Sequence, residues 1–170
     1  MSAADPAPVL DDIQVAVIDD NRHFLVIMRA MLRACGVRRG FACSSAGDAL
    51  ALLSEHAVDL VMTDCRMPGT DGLELIRTIR ADRRFASRAT PIICVSGHAE
   101  KRIIEDAIRT GADDFLVKPL SVNTVLQRMT RHLFNRLPYF ETATYFGPDR
   151  RRILSCTHRG PDRRGDLVEL

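Results

Sequence analysis

The chain has 170 residues, of which 46% are apolar, a formal charge of +2 and five cysteines. That length holds one domain with a proper core plus an appendage. No apolar run approaches the ~18 residues of a membrane span, the near-neutral charge predicts no general attraction to nucleic acid, and scattered cysteines without a Cys-x-x-Cys argue against a disulfide framework or a zinc site.

The N-terminal stretch 1–12 is acidic and contains proline. It is predicted to be disordered, and it lacks the basic and apolar regions of a signal peptide, which predicts a cytoplasmic chain. Ile13–Ile18 is a short apolar run closed by Asp19-Asp20, the pattern of a buried strand. His23–Ala34 has helical spacing and stops at Gly36. Gly40–Cys43 reads as a strand, Ala46–Glu55 as a helix, and Leu60–Thr63 as a strand ending at Asp64. After a Met-Pro-Gly-Thr-Asp-Gly loop, Gly72–Ala81 reads as a helix. Pro91–Val95 is a strand ending at Ser96, Glu100–Thr110 a helix ending before Gly111, and Phe115–Val117 a strand ending at Lys118-Pro119. Ser121 can cap a last helix to about Phe134. Short strands alternating with longer helices predict a doubly wound α/β fold, a five-stranded parallel sheet flanked by five helices.

Ligands of such folds bind beyond the carboxyl ends of the strands. The alternation therefore gathers Asp19, Asp20, Asp64, Ser96 and Lys118 at one edge. Three carboxylates brought together call for a hard divalent cation, and Mg2+ uses few carboxylates plus other oxygens. Asp64 is placed as a nucleophile toward a phosphoryl group, with Lys118 and Ser96 positioned for phosphoryl oxygens. One such residue alone is usually a cap or a turn; five at the correct strand ends are not.

The segments Val-Ile-Asp-Asp, Met-Thr-Asp-Cys-Arg-Met-Pro-Gly-Thr-Asp-Gly, Ile-Cys-Val-Ser-Gly and Gly-Ala-Asp-Asp-Phe-Leu-Val-Lys-Pro-Leu resemble the receiver domain of CheY-like response regulators. The resemblance spans about residues 13–134, within a domain expected at 13–136. It implies the flavodoxin/CheY-like fold and a signalling protein rather than an enzyme, with slow self-dephosphorylation at most. It implies Asp64 as phosphoacceptor and Mg2+ held by Asp19, Asp20, Asp64 and the carbonyl of Arg66. It also implies Ser96 and Lys118 as phosphoryl contacts, Phe115 as an aromatic switch, and a histidine kinase or phosphotransfer protein as donor. Cys65 and Arg66 are unusual after the phosphoacceptor.

After Phe134 the composition turns polar, and residues 137–170 are expected to form a flexible tail that orders on ligand binding. The tail carries Gly-Pro-Asp-Arg-Arg twice, at Gly147–Arg151 and Gly160–Arg164, thirteen residues apart. Thr144 and Thr157 align, as do Tyr145 and His158. Of 24 basic residues only Lys101 and Lys118 are lysines, so arginine number alone says little; an in-register repeat says more. A solvated linker, an RNA or DNA phosphate binder and a guanine-nucleotide binder all compete. Arginine pairs with guanine O6 and N7 or with phosphate. An aspartate inside each copy suits the guanine N1 and N2 donors, which phosphate lacks. Two copies suit a two-fold ligand.

This tail resembles the arginine-rich segment of CheY-like cyclic di-GMP effectors of flagellated bacteria. That resemblance implies binding by Tyr145, Asp149, Arg150, Arg151, Arg152, His158, Arg159, Asp162, Arg163 and Arg164. It also implies control of motility through a flagellar motor protein, without DNA binding or membrane insertion. The alternative is a conventional phospho-aspartate receiver whose tail docks an acidic protein or RNA.

Overall fold

The structure is a computed structural model that describes residues 10–69, 71–83 and 86–150. Arg151, Arg152, His158, Arg159, Asp162, Arg163 and Arg164, and with them the second copy of the repeat, lie outside the described residues, as does Cys156.

Strands and helices alternate through the first 134 residues: β1 (Gln14–Ile18), α1 (Arg22–Ala34), β2 (Arg39–Cys43), α2 (Ala46–Glu55), β3 (Leu60–Asp64), α3 (Gly72–Ala81), β4 (Ile92–Ser96), α4 (Lys101–Thr110), β5 (Asp114–Val117) and α5 (Val122–Phe134). The strands form one parallel sheet in the order β2-β1-β3-β4-β5. The doubly wound fold expected from the alternation is the fold observed. The strands are almost continuously apolar because helices cover both faces of the sheet. Leu25, Met28 and Leu32 of α1 and Val125, Met129 and Leu133 of α5 pack on one face against Val15, Val17, Leu60 and Met62. Leu53 of α2, Leu75, Ile76 and Ile79 of α3 and Ile103 and Ala107 of α4 pack on the other, against Ala16, Ile18, Val61 and Ile92.

Side-chain caps set the helix starts. Asn21 accepts from the His23 and Phe24 amides, Ser45 from Asp48, Asp71 from Leu73 and Ser121 from Thr124. Each satisfies a donor that the first turn leaves open. α4 has no side-chain cap at Glu100 and ends on Gly111 at φ 107°, a left-handed position that glycine adopts without strain.

Two boundaries differ from the sequence reading. Leu10, expected in a disordered N-terminus, is 2% exposed in the core, and Asp11 pairs with Arg38 at 3.1 Å. The fold therefore takes in Leu10 and Asp11, ahead of the expected start at residue 13. Residues 137–150, expected to be flexible, instead form an antiparallel hairpin of β6 (Tyr139–Glu141) and β7 (Phe146–Pro148), with Phe140 opposite Gly147. Four of the five cysteines are described, and all four are buried free thiols.

The hairpin is held by a buried ion pair. Arg80, the penultimate residue of α3, is 3% exposed. Its Nη2 lies 2.9 Å from Asp113 Oδ2, and its Nε and Nη1 donate to the carbonyls of Gly111 at 3.1 Å and Thr90 at 2.8 Å. Asp113 Oδ2 also accepts from the Ile92 amide at 2.7 Å, fixing the start of β4. The Tyr139 hydroxyl donates to Asp113 at 2.7 Å, and the Arg80 guanidinium sits 5.1 Å from the centre of its ring. Burial, with the Arg80 charge opposing it, holds the Tyr139 phenol far above its ordinary value, so it is a fixed donor.

Candidate functional site

Parallel strands end at one edge, and the residues that follow them converge there. Asp19 follows β1, Asp64 closes β3, Ser96 closes β4 and Lys118 follows β5. Asp19, Asp20 and Asp64 each offer a carboxylate oxygen, and these atoms lie within 4.8 Å of one another. Lys118 Nζ bridges two of them, 2.6 Å from Asp19 Oδ2 and 2.7 Å from Asp64 Oδ2. Backbone amides hold the remaining oxygens: Asn21 N donates to Asp19 Oδ1 at 2.8 Å and Arg66 N to Asp64 Oδ1 at 2.9 Å. Ser96 is buried, and its Oγ accepts from the His98 amide at 3.2 Å. Phe115 is half-buried and packs on the α2–α4 side of the core.

The electrostatics follow from burial. Asp19 is 1% exposed, and burial pushes its carboxyl above the ordinary range despite the opposing bond from Lys118. Burial pulls Lys118 down, but its bonds to Asp19 and Asp64 outweigh this and leave it above its usual value. The ammonium is therefore a permanent charge, and Asp20, being exposed, opens the cluster to solvent.

Five oxygen-rich or cationic residues expected from the sequence thus meet at one edge. The structural roles of three contributors were not readable from the sequence. Phe24 lies beneath Lys118, its ring centre 3.9 Å from Nζ, but in the sequence it is one apolar residue of a helix. Gly72 opens α3 directly against β3, and a Cβ there would lie inside the Asp64 carbonyl oxygen. Cys94 meets Cys65 behind the site, where a bond to Cys65 and burial push its thiol well up, so the unusual Cys65 is a core residue.

The donor set fits a hard cation: it is all oxygen, clustered, and partly solvent-facing.

A second feature lies at the opposite edge, where the helices end. A cavity of about 590 Å3 is walled by Arg77 and Arg80 of α3, Arg109 of α4, Arg83 and Arg88, and the hairpin residues Glu141, Tyr145 and Phe146. The Arg88 guanidinium covers the Phe146 ring at 3.7 Å. Of the tail residues expected to bind nucleotide, Tyr145 lines this cavity. Arg150 turns instead to the α4–β5 connection, donating to the carbonyls of Ala112 and Asp113. The Asp149 amide donates to the Pro138 carbonyl at 2.7 Å.

Among the described residues no helix is long and apolar enough to cross a membrane. The family profile described as the response regulator receiver domain matches residues 15–130. The virulence sensor protein BvgS of Bordetella pertussis is 37% identical over 131 residues, covering 75% of this chain and 10% of the relative. Its Bordetella bronchiseptica counterpart is 36% identical over 129 residues, with 74% and 10% covered. The chain spans about a tenth of the length of the curated relatives it matches. Among solved structures, a response regulator receiver protein from Pseudomonas putida is 32% identical with a TM-score of 0.63, covering 70% of this chain and 96% of that one. The receiver domain of a sensor histidine kinase from Pseudomonas aeruginosa PAO1, with a magnesium ion in its active-site cleft, is 27% identical with a TM-score of 0.64, covering 72% and 98%. With the profile spanning most of the chain and the strand-end carboxylates in place, the protein belongs to the response regulator receiver domain family.

Proposed function

We propose that Asp64 accepts a phosphoryl group from the phosphohistidine of a kinase or phosphotransfer protein. The observation that carries this reading is the Lys118 bridge, 2.6 Å and 2.7 Å from Asp19 and Asp64. It holds an ammonium where the transferred oxygens arrive. One carboxylate oxygen of Asp64 attacks phosphorus, the P–N bond breaks with its electron pair left on the imidazole nitrogen, which takes a proton from solvent, and an acyl phosphate remains. Lys118 and the Ser96 hydroxyl contact phosphoryl oxygens, and Phe115 responds to the repositioned Ser96. Asp19, Asp20, Asp64 and the Arg66 carbonyl would hold Mg2+, which supplies charge neutralisation at the phosphoryl oxygens. The test is beryllofluoride with Mg2+, followed by NMR. Wild type shifts resonances around Asp64, Asp64→Asn does not, and Lys118→Ala responds at least tenfold more weakly. An unresponsive wild type overturns the reading.

A second reading is favoured by the repeat and by the cavity beside its first copy. The chain binds cyclic di-GMP through Tyr145, Asp149, Arg151 and Arg152 from one copy and His158, Arg159, Asp162, Arg163 and Arg164 from the other, with Arg150 anchoring the first copy on the receiver, and acts as a cytoplasmic protein on a flagellar motor partner. The tail arginines offer forks for guanine edges and phosphates, and the aromatic rings offer stacking faces. Calorimetry should show guanine-selective binding, preferring cyclic di-GMP to cyclic di-AMP and lost when Arg151, Arg152, Arg163 and Arg164 are replaced by alanine. Equal binding of a short RNA with a steep salt slope would point to RNA instead.

A further inference from the structure

Arg77 and Arg109 face the cavity from two different helices, both exposed, and among the described residues neither guanidinium has a hydrogen bond or ion pair. Arg83 and Arg88 share one carboxylate: each Nη2 lies 2.8 Å from Glu141 Oε1, and Arg88 Nη1 lies 3.4 Å from Oε2. Arg80 is matched by Asp113. The other acidic wall residue, Asp106, lies 4.0 Å from Arg102 on its own helix. Arg77, Arg83, Arg88 and Arg109 thus face one carboxylate, Glu141, that is not paired outside the cavity wall. The helix ends here are C-termini, whose dipoles oppose an anion, so side chains alone supply the positive field. A volume of about 590 Å3 falls in the range of small-molecule sites, ~300–1,000 Å3. Tyr145 and Phe146 add flat apolar wall, and the repeat starts at the next residue, Gly147.

We propose that this cavity seats a phosphodiester of the cyclic dinucleotide, with Arg77 and Arg109 as its phosphate clamps and Glu141 as a resident anion that the ligand displaces. The proposal rests on the nucleotide-binding reading and gives it a receiver-side half that the tail repeat does not contain. Glu141 is held as a phosphate would be: two guanidinium groups of the cavity wall grip its carboxylate. A phosphodiester offers the same acceptor geometry. Arg150, anchored on the Ala112 and Asp113 carbonyls, holds the first copy of the repeat against the receiver.

The test is calorimetric titration of the full chain with cyclic di-GMP. Three variants are compared with wild type: Arg77→Ala/Arg109→Ala, Glu141→Gln, and Arg29→Ala/Arg33→Ala, which removes the same charge from α1 on the other face of the sheet. Thermal melts check that each is folded. The double cavity variant should bind at least tenfold more weakly, the α1 variant should stay within twofold of wild type, and Glu141→Gln should bind at least threefold more tightly. A wild type that binds while the cavity variant stays within twofold of it overturns the cavity site and leaves the tail reading standing. Equal losses in both double variants also overturn the site, because they report net charge. A Glu141→Gln variant that binds no better overturns the resident-anion role. A wild type that does not bind overturns both readings.

Discussion

Lys118 and Asp19 determine how the carboxylate edge behaves before any ligand arrives. Asp19 is buried with its carboxyl raised above the ordinary range. A raised carboxyl stabilises the fold below its unfolded value and loses that contribution as pH rises through the folded value, so at neutral pH the ionised form costs stability. Asp19→Asn should therefore raise the urea midpoint at pH 7 without Mg2+, and the gain should shrink toward pH 4 as the wild-type carboxyl protonates. Added Mg2+ should narrow the difference by stabilising wild type more, since the variant lacks a ligand. Gly72 makes a separate prediction. A Cβ there meets the Asp64 carbonyl, which is backbone and cannot rotate away. Gly72→Ala should destabilise by about 3 kcal/mol and broaden the NMR signals of residues 63–66. The polar strand ends were legible because each closes an apolar run. Gly72 and Phe24 were not, because their roles depend on a close approach between segments that sequence spacing does not encode.

The hairpin β6–β7 is the element that the sequence concealed. Its strands have three residues each, include a proline, and carry no alternating pattern long enough to read. It exists because Tyr139 finds Asp113 twenty-six residues away, a tertiary partner that overrides weak local preference. Arg80, one residue in a helical pattern, was likewise legible only as a solvated arginine, whereas it is 3% exposed. Removing one partner of a buried pair strands the other charge, at a cost of about 3–5 kcal/mol. Arg80→Ala should lose that much in denaturant unfolding, and Tyr139→Phe about 1–2 kcal/mol, with the loss concentrated in hairpin amides by hydrogen exchange.

Across the whole molecule, the carboxylate cluster and the arginine cavity occupy opposite edges of one sheet, and α4 runs between them. Asp106 borders both the cavity and a smaller one of about 280 Å3 that reaches Cys65 and Arg66. α4 is the least anchored of the helices, with Ile103 and Ala107 its only buried residues and no side-chain cap. Its amides should exchange faster than those of α3, which buries five residues, because few apolar contacts oppose local opening. Equal protection of the two helices would refute this. If the two edges communicate, this helix must differ between their states. The alternation of elements made the sheet and its edge readable; the second edge was hidden because it is assembled from helix ends and a hairpin distant in the chain.

The order in which the ribosome delivers these parts adds one consequence. Arg80, Thr90, Ile92 and Asp113 are all synthesised before Tyr139, and domains begin folding while the chain is still growing. The five-stranded sheet can close with the Arg80–Asp113 pair still in contact with water at its lower edge. Tyr139 and the hairpin then arrive after the sheet and cover that pair, so a nascent chain arrested before residue 139 should already hold its sheet while leaving the ion pair wet.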